Sequence, residues 1–163
     1  MRIESLHQSA DGTLWVGTRS GLARLVKDHF EPLPIRLEKG AIAEGIVGRQ
    51  GIVTNARGEL FLATERGLVR GAQTKGAWQF TAVAAPATQR DGPVVSVLVD
   101  EGGKVWFGCG TGLCLLDQNE VREVGREAGL PDGLKPCPFD LQFIDEAMKF
   151  ERVGRSEIGR AHV

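Results

Sequence analysis

The residues with the broadest chemistry in this chain of 163 are three histidines and three cysteines, and their spacing bounds what they can do. His7, His29 and His162 are scattered, and none falls at metal-ligand spacing from a cysteine pair. Cys109 and Cys114 lie five residues apart on either side of a turn, and Cys137 stands by itself. Zinc takes four ligands, commonly as two close pairs. A single pair therefore predicts two small residues buried in strands rather than a zinc half-site. An odd cysteine count does not describe a disulfide framework. The acidic turns Asp11-Gly12 and Asp100-Glu101-Gly102-Gly103 have only a superficial likeness to calcium loops. They lack the spaced ligands and the terminal Glu of such a loop, and turn chemistry accounts for them. No Ser/His/Asp or Cys/His arrangement marks a nucleophile, and no phosphate loop is present. The expectation is no catalytic residue, no metal site and no cofactor.

Composition narrows the class further. A net charge of −1 gives no electrostatic case for nucleic acid or an anionic membrane surface. No apolar run approaches the ~18 residues that span a bilayer. Met1-Arg2-Ile3-Glu4-Ser5 lacks the apolar core of a signal peptide. The 22 glycines have no collagen period and signal many tight turns, hence many short strands.

Those turns are ordered by a repeat. DGTLWVGTRSGLARL (11–25), RGELFLATERGLVRG (57–71) and GGKVWFGCGTGLCLL (102–116) align without gaps. Gly12, Gly58 and Gly103 follow at steps of 46 and 45 residues, and Gly21, Gly67 and Gly112 repeat the same steps. The first glycine suits a hairpin position of positive φ. Leu14 and Val16, Leu60 and Leu62, and Val105 and Phe107 then alternate with Trp15, Phe61 and Trp106. A strand apolar on both faces is sandwiched between layers. Gly17, Ala63 and Gly108 mark a close approach by a neighbour. Thr18, Thr64 and Cys109 end the strand.

Arg2–Gln8 and Val94–Val99 supply a preceding strand for the first and third copies; Ile46–Thr54, with Gly48 and Gly51, is the weakest. Phe30–Leu33, Trp78–Val83 and Glu120–Val124 supply a fourth strand. Four strands per ~45 residues is the length of a propeller blade. The expected fold is all-β: a β-propeller segment of about three four-stranded antiparallel blades, the ring not closed. Residues 1–135 hold the blades (about 1–40, 41–88 and 89–130), and 136–157 begin an incomplete further blade or an irregular tail. Residues 158–163, Ile158-Gly159-Arg160-Ala161-His162-Val163, have the look of a translated sequencing adapter.

The phrase DGTLWVGTRSGL resembles the repeat of the two-component regulator propeller family. Asp11, Gly12, Leu14, Trp15, Gly17, Thr18, Gly21 and Leu22 match its pattern, and Gly103, Trp106, Gly108, Gly112 and Leu113 match it in the third copy. Cys109 departs from it, and Phe61 and Ala63 depart in the second copy, which is expected to form a distorted blade. The resemblance implies the extracytoplasmic sensor part of a membrane-bound receptor whose output is a histidine kinase or a diguanylate cyclase. It implies as partners a small-molecule or glycan ligand, the remaining blades and output domain of the same chain, and a second copy in the full-length form. Contact with a membrane would come only through a segment outside this sequence. The alternatives are a piece of a secreted propeller enzyme, lyase or carbohydrate-active, and a protein-interaction platform.

Within such a sensor, Arg19, Arg66 and Thr111 fall in the same turn of successive blades, between the second and third strands. That turn lies on a face where propeller ligands often bind, so these three are the candidate ligand-binding residues. Trp15, Phe61 and Trp106 have the chemistry of sugar stacking, but recurrence at one column predicts packing between blades.

Overall fold

The structure is a computed structural model that describes residues 2–37, 45–46, 48–84, 92–109, 112–125 and 129. Thr111, Cys137, His162 and the segments 136–157 and 158–163 lie outside the described residues.

Each repeat folds as one meander. Strands β1 (Ile3–Gln8), β2 (Leu14–Thr18), β3 (Gly21–Val26) and β4 (His29–Leu33) pair in chain order. Strands β5 (Ile52–Thr54), β6 (Leu60–Thr64), β7 (Gly67–Thr74) and β8 (Ala77–Ala82) form the second sheet, and β9 (Val97–Val99), β10 (Val105–Cys109), β11 (Gly112–Asp117) and β12 (Glu120–Val124) the third. Every strand pair within the three sheets is antiparallel. The described residues contain no helix. The molecule is a β-propeller segment of three blades that do not close a ring.

Turn chemistry sets this register. Gly12, Gly58 and Gly103 hold φ of 86°, 75° and 80°, as their hairpins require. Each loop closes alike: the amides of Ser9, Asn55 and Asp100 bond the carbonyls of Thr13, Glu59 and Lys104, and the amides of Gly12, Gly58 and Gly103 bond back to the carbonyls of Ser9, Asn55 and Asp100.

The blades stack through the two faces of their second strands. Trp15 and Leu22 of the first blade meet Ile52, Leu60, Leu62, Val69 and Phe80 of the second. Trp15 stands edge-on to Trp78, with ring centroids 5.3 Å apart. Phe61, Ala63 and Leu68 on the opposite face of the second sheet pack against Val105, Phe107 and Leu116 of the third. All five residues of β6 are buried, and each fully buried Leu contributes about 2 kcal/mol. The second blade is therefore regular, not distorted. Phe61 and Ala63 fit because both faces of this strand are covered. Trp15 and Phe61 are core residues, whereas Trp106 is half-buried and donates its indole N–H to Asp100 Oδ2 at 2.9 Å.

The innermost strands β1, β5 and β9 touch in turn. Here β5 has three residues, fewer than the sequence suggested, because the chain before it packs backbone against backbone. A Cβ on Gly48 would come within 1.9 Å of the Val95 carbonyl. Gly51 donates its N–H to Ser5 Oγ at 3.2 Å, and its carbonyl accepts the Ala63 N–H at 2.8 Å.

Candidate functional site

The antiparallel order sorts the turns onto two rims. Arg19 and Ser20 join β2 to β3, and Glu65 and Arg66 join β6 to β7, on the rim where the chain passes from blade to blade. On this rim the threonine that ends the second strand of the first and second blades organises the turn. Thr18 Oγ1 accepts the Ser20 N–H at 3.1 Å, and Thr64 Oγ1 accepts the Arg66 N–H at 3.2 Å. Each hydroxyl donates onward, to the carbonyl of Gly21 at 3.3 Å and of Gly67 at 2.7 Å. The carbonyls of the same threonines accept the N–H of Ile46 at 2.9 Å and of Val94 at 3.0 Å, where the chain arrives at the next blade.

Arg19 and Arg66 are both exposed in the same turn of adjacent blades, Arg19 at its first position, where the second blade has Glu65, and Arg66 at its second, where the first blade has Ser20. Their surroundings differ. Arg19 Nε lies 3.4 Å from Glu4 Oε1, and Arg2 Nε lies 3.7 Å from the same oxygen, so a buried carboxylate edge holds two guanidiniums. Arg66 projects from the second blade, anchored through its backbone to Thr64.

Toward the inner strands, the ring of His7 lies 2.8 Å from Thr54 Oγ1. Burial lowers the His7 pKa below its ordinary value, which favours the uncharged ring. Ser5 Oγ donates to the Arg49 carbonyl at 3.3 Å. Among the described residues, no three His, Cys, Asp or Glu side chains converge as a metal site would require.

The opposite rim carries residues that sequence spacing could have found. Ser9, Asn55 and Asp100 recur at the same 46 and 45 steps as the glycines. Asn55 Oδ1 accepts the N–H groups of Arg57 and Glu59, each at 3.0 Å, and Asp100 Oδ1 accepts those of Gly102 and Lys104, each at 2.9 Å. Ser9 Oγ accepts the Trp15 indole N–H at 3.1 Å, as Asp100 does for Trp106. Where Phe61 replaces Trp there is no indole donor, and Asn55 Nδ2 turns to Glu59 Oε2 at 2.6 Å. Glu59 also receives the Arg70 guanidinium, whose Nη1 reaches Asn119 Oδ1 of the third blade at 3.1 Å. Burial pushes the Glu59 carboxyl up, but the Arg70 hydrogen bonds, the Asn55 amide and the Arg57 charge outweigh it and hold the group below its ordinary range. Arg70 and Asn119 line a cleft of about 400 Å³ between the second and third blades, with Thr81, Val83, Leu116 and Val121.

The cysteines correct the sequence expectation. Cys109 and Cys114 are bonded to each other as a disulfide. They are neither two inert buried thiols nor half of a zinc site.

This repeated four-stranded stacking is the β-propeller architecture. No protein-family model and no curated protein matches the chain. Solved structures do: one neighbour is the extracellular domain described as that of a hybrid two-component system of B. thetaiotaomicron, at 15% identity and a TM-score of 0.51. The match covers 79% of this chain, which spans 17% of the length of that domain. A structure described as a gluconolactonase matches at 15% identity and a TM-score of 0.47, over 72% of this chain and 45% of that one. The extracellular domain of a second hybrid two-component system of B. thetaiotaomicron matches at 17% identity and a TM-score of 0.38, over 80% of this chain and 23% of that one. At these identities the likeness is one of fold, and it is the fold that the repeat phrase implied.

Proposed function

We propose that the chain is a non-catalytic, ligand-sensing propeller segment of a membrane-bound signalling receptor, of the histidine kinase or diguanylate cyclase type, held on the extracytoplasmic side. The observation that carries this is the repeat. Its columns match the two-component regulator propeller pattern, and the resulting blades overlay the extracellular domain of a hybrid two-component system at a TM-score of 0.51. The rim of Arg19 and Arg66 suits a small anionic or hydroxyl-rich ligand such as a glycan, since both guanidiniums face solvent. Ligand held there would bear on the turns that Thr18 and Thr64 connect to the following blade. His7, on an inner strand, has a threonine hydroxyl as its hydrogen-bond partner rather than an acidic side chain.

Thermal-shift screening of the chain against a glycan panel tests the reading. A saturable shift that is lost in Arg66→Ala and kept in Arg57→Ala, on the opposite rim, is the expected result. Chemical turnover of a panel member, or a shift indifferent to Arg19→Ala and Arg66→Ala together, would overturn it.

A further inference from the structure

The hairpin joining the second and third strands is built three times, and the first two copies close it with a threonine. As described above, the Thr18 and Thr64 hydroxyls each accept one turn amide and donate to one turn carbonyl. The third copy places Cys109 in that column, and a thiol is a weak substitute for a hydroxyl in both roles. The repeat also changes at Cys114, whose equivalents are Ala23 and Val69. Both cysteines thus enter in one repeat and in one hairpin. The register makes the pair meaningful. Cys109 lies opposite Gly112 and Cys114 opposite Phe107, so the two are diagonal neighbours on the sheet face turned toward the second blade. Their Cα atoms are 5.8 Å apart, within the span a disulfide bridges.

We propose that the Cys109–Cys114 disulfide is the third blade's replacement for the threonine lock, so that this hairpin is closed by oxidation where its siblings are closed by hydrogen bonds. Closure needs an oxidant, which is a protein or glutathione disulfide. The Cys109 thiolate attacks it and expels one of its sulfurs; the Cys114 thiolate then attacks the Cys109 sulfur and expels the other. The pair gives up two protons and two electrons, and the oxidant leaves reduced to thiols. Cys109 is 4% exposed and Cys114 0%. The bond therefore forms while the hairpin is still open and is shielded from soluble reductants once the blade has packed. This proposal stands on the hairpin and not on the sensor reading.

Trypsin frees residues 105–122 as one peptide carrying both cysteines, which separates them from Cys137. In the full chain purified without reductant, that peptide is expected to be lighter by two hydrogens than the dithiol and to resist iodoacetamide until dithiothreitol is added. Unfolding and refolding the chain in dithiothreitol should lower its Tm by about 5 °C, and Cys109→Ala should do the same. The double variant Cys109→Thr with Cys114→Val, which writes the second repeat's residues into the third, should recover most of that loss and melt alike with and without dithiothreitol. Alkylation of both cysteines without reduction overturns the proposal. So does a double variant no more stable than the reduced wild type, a comparison that holds even if Cys109→Ala does not fold.

Discussion

At the scale of single residues, the most consequential polar group is Glu59, which ties Asn55, Arg57 and Arg70 together and, through Arg70, reaches Asn119 of the next blade. Its folded pKa lies below the ordinary value of 4.5. The unfolded chain therefore takes up the proton first on acidification. The stabilising contribution is present in full above the ordinary value and is lost as pH falls through the folded one. Denaturation midpoints measured from about pH 6 to about pH 3 should fall more steeply in the wild type than in Glu59→Gln. Arg70→Ala should cost about 1–3 kcal/mol near neutral pH, since it leaves a mostly buried carboxylate short of its main partner. Reduction of Cys109–Cys114 should cost about 2 kcal/mol, the chain entropy of so short a loop. Residues of this kind were the least legible in the sequence. Arg70 and Asn119 are 49 positions apart and meet because two sheets stack. Cys109 and Cys114 were visible as a pair flanking a turn, but the hairpin register was needed to place them on one face.

At the scale of the element, the sequence was far more informative, because turns and strand faces leave local marks. The first glycine column specified hairpins, and Gly12, Gly58 and Gly103 all have the expected positive φ. The small-residue column was legible as a close approach, yet only the structure separates its members. A Cβ on Gly17 would lie 2.8 Å from Ile46 Cγ2 and 2.9 Å from Ile52 Cδ1, whereas one on Gly108 would meet Ser96 Oγ at 3.9 Å. Gly17→Ala should therefore destabilise by about 1–3 kcal/mol, while Gly108→Ala should be neutral or stabilising by about 0.5 kcal/mol. Equilibrium urea denaturation of the two variants checks the contrast; equal costs would contradict the packing described. Two of the outer hairpins gave no such mark. Lys27 and Gln118 hold left-handed φ of 54° and 56° without being glycine, so a search for glycine misses them, whereas Lys75 at 52° is followed by Gly76 at 81°.

At the scale of the molecule, blade count and strand order were legible because one phrase repeats, while the covering of the outermost faces was not. In the second and third blades, Leu60, Leu62, Val105 and Phe107 seat against the blade before them and are buried. Their equivalents Leu14 and Val16 share a face with Leu6 and Phe30 in the first sheet, through the pairings Leu6–Val16, Val16–Ala23 and Leu25–Phe30. On that face Ile3, Leu6 and Phe30 are 56%, 60% and 50% exposed. An apolar sheet face of this kind drives association. Light scattering of the 163-residue chain should show concentration-dependent self-association, and Leu6→Lys with Phe30→Glu should suppress it. A wild-type chain that stays monomeric across the concentration range would show that this face does not drive assembly.

Thr64 sits where two kinds of bond cross. Its side chain grips the turn that presents Arg66, and its carbonyl holds the amide of Val94, just before the third blade begins. Thr18 does the same between the Arg19 turn and Ile46. Each turn is therefore joined to the next blade through one residue, without crossing the apolar core. The rim is built as a chain of hydrogen-bonded links rather than a set of independent loops.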